Sequence, residues 1–271
     1  MKMIFDQDYH IHTRLSSCSR DPEQTAARLL EYAAENGLSS LCVTDHFWDE
    51  KVPGASGWYA PQNYPHITEE LPLPEKEGIR FYFGCETDMD KHGTIGIAPE
   101  TVEKMDFIIV PTTHLHMKGF TFEQEIVDAP DEIERRTELY IVRFDTLLNA
   151  DLPFHKVGIA HLTCELMASD PPKSHLKVLN GVSDGVFREL FDRSAKKGLG
   201  IELNFDPFRY EGDELETMLR PYRIASECGC RFYFGSDAHH PADLLKAKSR
   251  AEKIFDLLGL TEEQKFHIGG N

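Results

Sequence analysis

The chain has 271 residues, 41% hydrophobic and 28% charged, with a formal net charge of −17. That length suits one large domain with a sizeable core, and the acidic balance disfavours a broad nucleic-acid footprint, because phosphate backbones attract basic surfaces. No stretch reaches the length of a membrane span, residues 1–6 lack the apolar run of a secretory signal, and six scattered cysteines fit reduced thiols in a cytoplasmic protein.

Residues 4–12 are the first expected strand and carry Asp8, Tyr9, His10, Ile11 and His12. Side chains alternate faces along a strand, so His10 and His12 point the same way. Two converging imidazoles are half a metal site. Asp21-Pro22-Glu23 reads as an N-cap, a first-turn proline and an early acid. The helix it opens has Ala26, Leu29, Leu30 and Ala33 on its apolar face and stops at Asn36-Gly37. Residues 38–44 are a buried strand ending at Thr44-Asp45-His46. Residues 47–78 break the rhythm with Pro53, Gly54, Gly57, Pro61, Pro65, Pro72, Pro74 and Gly78 among Trp48, Trp58, Tyr59 and Tyr64. This composition predicts a long structured loop, either a lid or rim of a pocket or an insertion packed by its own aromatics.

Residues 79–83 lead as a strand into Gly84-Cys85-Glu86, and 94–98 read as a further short strand or hairpin arm. A strand at 107–111 precedes Thr112-Thr113-His114-Leu115-His116. An amphipathic helix covers 131–150 through Ile133, Leu139, Tyr140, Val142, Phe144 and Leu147. Then come a strand at 157–160 ending at His161, a helix at 184–197 stopped by Gly198, a strand at 199–203 and a helix at 215–228. Cys228-Gly229-Cys230 reads as a helix-to-strand turn. A strand at 232–234 runs into Gly235-Ser236-Asp237-Ala238-His239, and a helix at 241–258 closes the chain. About seven strands, mostly followed by helices and without a linker, predict a single α/β domain over residues 1–271. Its architecture is a closed or nearly closed parallel barrel. An open doubly wound sheet is the alternative, but the glycine fingerprints of its nucleotide-binding versions are missing.

His10, His12, Asp45, His46, Glu86, His114, His161, Asp237 and His239 all fall at strand C-terminal ends, which converge on one face of such a barrel. Burying these groups without partners is costly, and metal ions would satisfy them together. Imidazole with carboxylate suits Zn, Mn, Fe or Co better than Ca or Mg. There are too many ligands for one ion, so at least two are expected, with Glu86 as a bridge. Two ions acidify water and clamp entering and leaving oxygens, the chemistry of hydrolysis, most naturally of a phosphate ester.

The ordered set H-x-H, T-D-H, G-C-E, a strand-end histidine, A-H and G-S-D-A-H resembles the polymerase and histidinol phosphatase (PHP) superfamily, from Asp8 to about Pro241. The resemblance implies a distorted (β/α)7 barrel with two or three divalent transition-metal ions, Zn, Mn or Fe. It implies His10, His12, Glu86 and Asp237 around one ion, and Glu86, a fourth-strand histidine and His161 around a second. His46 and His239 would serve a third, with Asp45 orienting a ligand. His114 fits the fourth-strand spacing better than His116, which then faces the substrate. Where the family usually has a His or Asp soon after H-x-H, this chain has Ser16-Ser17-Cys18-Ser19, which offers Cys18 as a thiolate ligand. Residues 202–209 resemble the E-x-N-x-x-x-x-R segment of the histidinol-phosphatase branch. That match implies supporting roles for Glu202 and Asn204 and sends Arg209 toward a phosphate; a surface ion pair is the other reading of Arg209. The middle of the segment, Phe205-Asp206-Pro207-Phe208, is bulkier than that branch tends to carry and bears on which leaving group fits.

The implied activity is metal-dependent hydrolysis of a small phosphomonoester by metal-activated hydroxide, with L-histidinol phosphate as the leading substrate. Arg209 would stabilise phosphoryl charge, and Asp237 or His239 would protonate the leaving alkoxide. There are three rivals. An amidohydrolase-like enzyme would need a carboxylated Lys or a Glu on the fourth strand, which residues 107–116 do not supply. A phosphodiesterase or nuclease is disfavoured by the charge and the lack of an aromatic–basic groove. The third is a non-catalytic metal-binding protein. Neither a nucleic acid nor a membrane is expected as a partner.

Overall fold

A computed structural model describes residues 1–127 and 129–270. Its sheet is built from β1 (Gln7–Ile11), β2 (Ser40–Val43), β3 (His46–Phe47), β4 (Arg80–Thr87), β5 (Phe107–Pro111), β6 (Val157–Ala160), β7 (Gly200–Leu203) and β8 (Arg231–Phe234). All ladders are parallel, in the order β1-β2-β4-β5-β6-β7-β8, with β3 beside the upper part of β4. The chain after β8 returns to β1: Asp237 N–H donates to His10 O (2.7 Å) and His12 N–H to Ala238 O (3.1 Å). The result is a sheet nearly closed into a seven-stranded barrel with surrounding helices, as expected from the strand–helix alternation.

Two cores hold it. Between the sheet and the helices lie Val43, Ile108, Val110, Tyr140, Phe144, Phe187 and Phe191, among others. Inside the barrel a separate apolar cluster joins Tyr9, Cys42, Phe107, Ile109, Ala160, Tyr233 and Phe266. Phe107 meets Tyr233 edge-on at 5.2 Å and Phe266 at 5.7 Å, a favourable aromatic geometry. Gly158 makes room for it, since a Cβ there would lie 2.5 Å from Tyr233 Oη and 2.7 Å from Phe107 Cζ. On β1 the pairing register shifts between Asp8 and Ile11. Tyr9 therefore packs on Phe107 and Tyr233 while His10 and His12 both reach Glu86. Asp8 turns the other way and accepts from Tyr32 Oη at 2.9 Å.

Several boundaries differ from expectation. The first helix is Ala26–Asn36, capped by Thr25 rather than Asp21. Asp21 instead holds a turn through the Glu23 N–H, and Gln24 is committed to the carbonyls of His12 and Ala238. β4 continues to Thr87, so Glu86 lies within it, paired with His46 of β3. Residues 94–98 make one antiparallel bridge, Met89 to Ile95, and run into the short helix Pro99–Val102, not into a strand. The 47–78 stretch holds the short helix Tyr64–Ile67 and buries Trp48 and Tyr59. An unforeseen helix, His175–Gly181, precedes Asp184–Lys197. The closing helix is two pieces, Pro241–Leu244 and Ala247–Leu258, because Leu245 and Lys246 bond back by three residues instead of four. Among the described residues no helix is long and apolar enough to cross a membrane.

Candidate metal centre

Glu86 stands at the centre of the upper barrel, and its two oxygens face different neighbours. Oε2 lies 2.9 Å from His46 Nδ1, 3.4 Å from His12 Nε2 and 3.5 Å from His10 Nε2. Oε1 lies 3.1 Å from His161 Nε2 and 3.9 Å from His114 Nε2. Asp237 Oδ1 adds to the first side, 3.2 Å from His12 Nε2 and 3.4 Å from His10 Nε2. Among the described residues three sets could each hold an ion, two of them sharing His12: His10, His12 and Asp237; His12, His46 and His239; and Glu86, His114 and His161.

The surrounding hydrogen bonds aim these donors. His10 Nδ1 meets Glu202 Oε1 at 2.6 Å, and a carboxylate only accepts, so the proton is on Nδ1. Ser16 donates its hydroxyl to Asp45 Oδ1 (2.7 Å), so His12 Nδ1–H must donate to Ser16 Oγ (2.8 Å). Both histidines thus turn Nε2 toward each other, 3.1 Å apart. Two imidazole lone pairs at that distance need a cation between them: a proton on His10, whose pKa is raised well above normal, or a metal ion in its place. His46 Nδ1 is buried without a hydrogen-bond partner, because its approach to Glu86 is close but misaligned. These are the marks of a built cation site, and the imidazole–carboxylate donor set fits a divalent transition metal. On the other side, Thr113 Oγ1 orients His161 through Nδ1 (2.7 Å) and Asp88 orients His114 through Nδ1 (3.0 Å). Asp88 is itself held by Arg143 Nη2 (2.9 Å) and Tyr59 Oη (3.2 Å).

Charge follows the same pattern. Burial would raise the Glu86 and Asp237 carboxyls, but His46 and His10 hold Glu86, and His10 and His239 hold Asp237, well below the usual range. Burial opposes charge on His10, yet Glu202, Asp237 and Glu86 raise its pKa well above normal. His46 rises to about 10 and His239 to about 9 against the same desolvation, through Glu86 and Asp237 respectively. His12 is pushed well down by burial and by its histidine neighbours. Protons on these imidazoles occupy places that metal ions would compete for.

Backbone conformation marks the same residues. His161 (φ 27°) and Asp237 (φ 55°) both adopt left-handed conformations disfavoured for side-chain-bearing residues. Gly235 is required by close approach, since any Cβ would overlap Glu202 Oε1 and crowd His10.

The structure brings together the ligand residues foreseen from the sequence and separates the two fourth-strand histidines. His114 reaches Glu86 and His161; His116 faces the cavity, its pKa pushed down to about 4 by desolvation and by His114. Cys18 lines the same cavity as His239 and His46, whose influence outweighs burial and lowers its thiol to about 7. Asn204 supports Gly235 O through Nδ2 at 3.1 Å. Arg209 is 60% exposed and paired with Glu165 Oε1 at 2.8 Å. It lines a neighbouring cavity of about 780 Å³ that meets the 460 Å³ metal-side cavity at Leu166 and Asp237. Asp88, Arg143, Ser16 and Thr113 escaped sequence reasoning. The one available signal was Asp88, two residues beyond Glu86 on the same side of the chain.

Comparison with known proteins supports this picture. A sequence model described as PHP domain matches residues 8–206. A probable phosphatase of Caldicellulosiruptor saccharolyticus is 21% identical over 246 residues, covering 90% of this chain and 84% of that protein. Among solved structures, histidinol phosphate phosphatase from Lactococcus lactis, complexed with zinc, L-histidinol and phosphate, superposes with a TM-score of 0.60. It is 16% identical, covering 98% of this chain and all of that one. A probable 2-pyrone-4,6-dicarboxylic acid hydrolase of Acinetobacter baumannii gives 0.45 at 14% identity, covering 97% and 96%. The sequence match, the barrel and the ordered histidine and acidic strand ends lead to one conclusion: this chain belongs to the PHP domain family, as a phosphatase-like member.

Proposed function

We propose that the chain is a metal-dependent phosphatase that hydrolyses a small phosphomonoester, with L-histidinol phosphate as the first substrate to test. The observation that carries this reading is Glu86, whose two oxygens each face a separate ligand group. His10, His12, Asp237 and Glu86 Oε2 would hold one ion, and Glu86 Oε1, His114 and His161 a second. His46 and His239, with Cys18 beside them, form a place for a third. Bound divalent ions would supply Lewis acidity, acidifying water and neutralising charge on phosphoryl oxygens. The relative described as a probable phosphatase, and the similar structure holding zinc, L-histidinol and phosphate, support the same chemistry.

The chain's own residues do the rest. Glu202, Asp45 through Ser16, Thr113 and Asp88 fix the orientation of four imidazoles, so little reorganisation is needed during reaction. His239 Nδ1–H is tied to Asp237 O at 2.8 Å, so its mobile proton sits on Nε2. With two ions bound, that nitrogen delivers the proton to the leaving alkoxide. Asp237, its carboxyl held well below the usual range by His10 and His239, is ionised and suits the role of a ligand rather than of the acid. Arg209 lines the neighbouring cavity, and with Glu165 on Nη2 its other N–H groups would be available to a phosphoryl oxygen. The test is phosphate release by zinc- or manganese-loaded protein from L-histidinol phosphate, other phosphomonoesters and a phosphodiester. Release from monoesters is expected; release from none of them overturns the reading.

A further inference from the structure

The metal-side cavity has one wall with no part in holding ions. Trp58 and Tyr59 form it, with Met117 also lining the cavity, and among the described residues no lysine or arginine lines it. Trp58 is half-buried and held edge-to-face against His46 (5.0 Å, 69°) and Tyr59 (4.7 Å, 87°). Tyr59 is fully buried, with its hydroxyl on Asp88 and its ring beside Trp48 and Phe120. The indole is therefore a fixed aromatic surface next to the same His46 that faces Glu86. Across Asp237 the neighbouring cavity differs in carrying charge: Arg209, Lys246, Arg250, Glu165, Asp206 and Asp243 line it beside apolar residues such as Phe205 and Tyr210. A phosphoryl group seated between Glu86 and Asp237 thus has an aromatic side and an ionic side.

We infer that the leaving group occupies the aromatic side and carries an uncharged aromatic ring that packs on Trp58, making Trp58 a specificity-determining residue. A polyol or sugar leaving group gains nothing from this wall, because its hydroxyls would lose water without finding partners there. An aromatic ring gains both burial and ring–ring contact. The inference rests on the phosphomonoesterase reading above and says which phosphomonoesters are favoured.

Benzyl phosphate and glycerol 1-phosphate release alkoxides of similar basicity, so the ratio of their kcat/KM values reports recognition. With zinc- or manganese-loaded protein the ratio is expected to favour benzyl phosphate. Trp58→Ala is expected to lower it about tenfold, mostly through KM, with Trp58→Phe keeping most of it. A purely structural role would lower both substrates together and leave the ratio unchanged, which overturns the inference. So does wild-type preference for glycerol 1-phosphate. Calorimetric titration with benzylphosphonate, which cannot be hydrolysed, separates the two readings. Trp58-dependent binding without turnover of any ester leaves the pocket standing and removes the phosphatase. Turnover with binding indifferent to Trp58 does the reverse, and neither binding nor turnover removes both.

Discussion

The lower and upper halves of the barrel interior come from the same strands. On β1, Tyr9 fills the lower half and His10 the upper; on β8, Tyr233 lies below, and Gly235, just past the strand's end, lies above. Below, four rings and small residues fill the space and no ionisable pair is present among the described residues of that cluster. Above, Glu86, Glu202, His10, His12 and His161 are as deeply buried but touch through nitrogen and oxygen. The lower half depends on volume and the upper half on charge and donor direction. A change that preserves shape but removes charge should therefore be harmless below and severe above, and the converse should hold for loss of volume.

The sharpest way to break this contrast is Glu86→Gln, nearly isosteric. Phosphate release is expected to fall on the order of 10³-fold or more, since several kcal/mol of charge stabilisation go with the ions. Bound metal measured by mass spectrometry should fall with it; retained metal and activity would show that shape alone governs the upper half. Phe107→Ala makes the opposite cut. It is expected to cost roughly 3–5 kcal/mol in urea unfolding while the surviving folded protein keeps its metal content. Glu202→Gln removes the carboxylate that fixes His10, and zinc affinity in chelator competition is expected to drop about 10–100-fold.

A weaker effect is set by pH. His46 and His239, raised to about 10 and about 9, stabilise the metal-free fold fully below their ordinary value of about 6.5 and lose that contribution as pH climbs through the raised values. Cys18, lowered to about 7, acts in the opposite sense, its contribution fading as pH falls through that value. The metal-free protein is therefore expected to lose the histidine contribution to thermal stability from about pH 6.5 to about pH 10, and Cys18→Ser, which removes one of the groups raising both imidazoles, is expected to shorten that window at its alkaline end. Zinc needs deprotonated imidazoles, so the gap in Tm between loaded and metal-free protein should widen over that window. The smallest effect concerns Cys18 itself. Cobalt-loaded protein is expected to show a near-ultraviolet thiolate-to-metal band that Cys18→Ser abolishes, with little change in phosphate release. A band that survives the substitution excludes the thiol from the ion's ligands.

The same contrast explains what could be read in advance. His10, His12, Glu86, His161 and Asp237 were legible because each combines a metal-capable side chain with the end of a periodic apolar run, and barrel geometry brings such ends together. The lower plug was not, since the register shift after Asp8 defeats the period-two rule that would have sent Tyr9 away from His10. Asp88 and Arg143 were missed because their pairing spans 55 positions and depends on how the helix Glu132–Asn149 docks. Nothing local distinguishes Arg143 from a solvated helix residue. The first helix start was misplaced for a related reason: Asp21 has the chemistry of a cap, but Gln24 is drawn off to bond His12 and Ala238.

The bonds that close the sheet have one further consequence. First and last strands are joined through the backbones of His10, His12, Asp237 and Ala238, three of which carry side chains aimed at Glu86 or its partners. An ion gripped by those side chains rivets the beginning of the chain to its end, across more than 220 residues of intervening sequence. Emptying the centre loosens a seam as well as a site, and the amide protons of His12 and Asp237 become its gauges. They are expected to exchange slowly with metal bound and to be the first of the strand-end amides to quicken when it is removed.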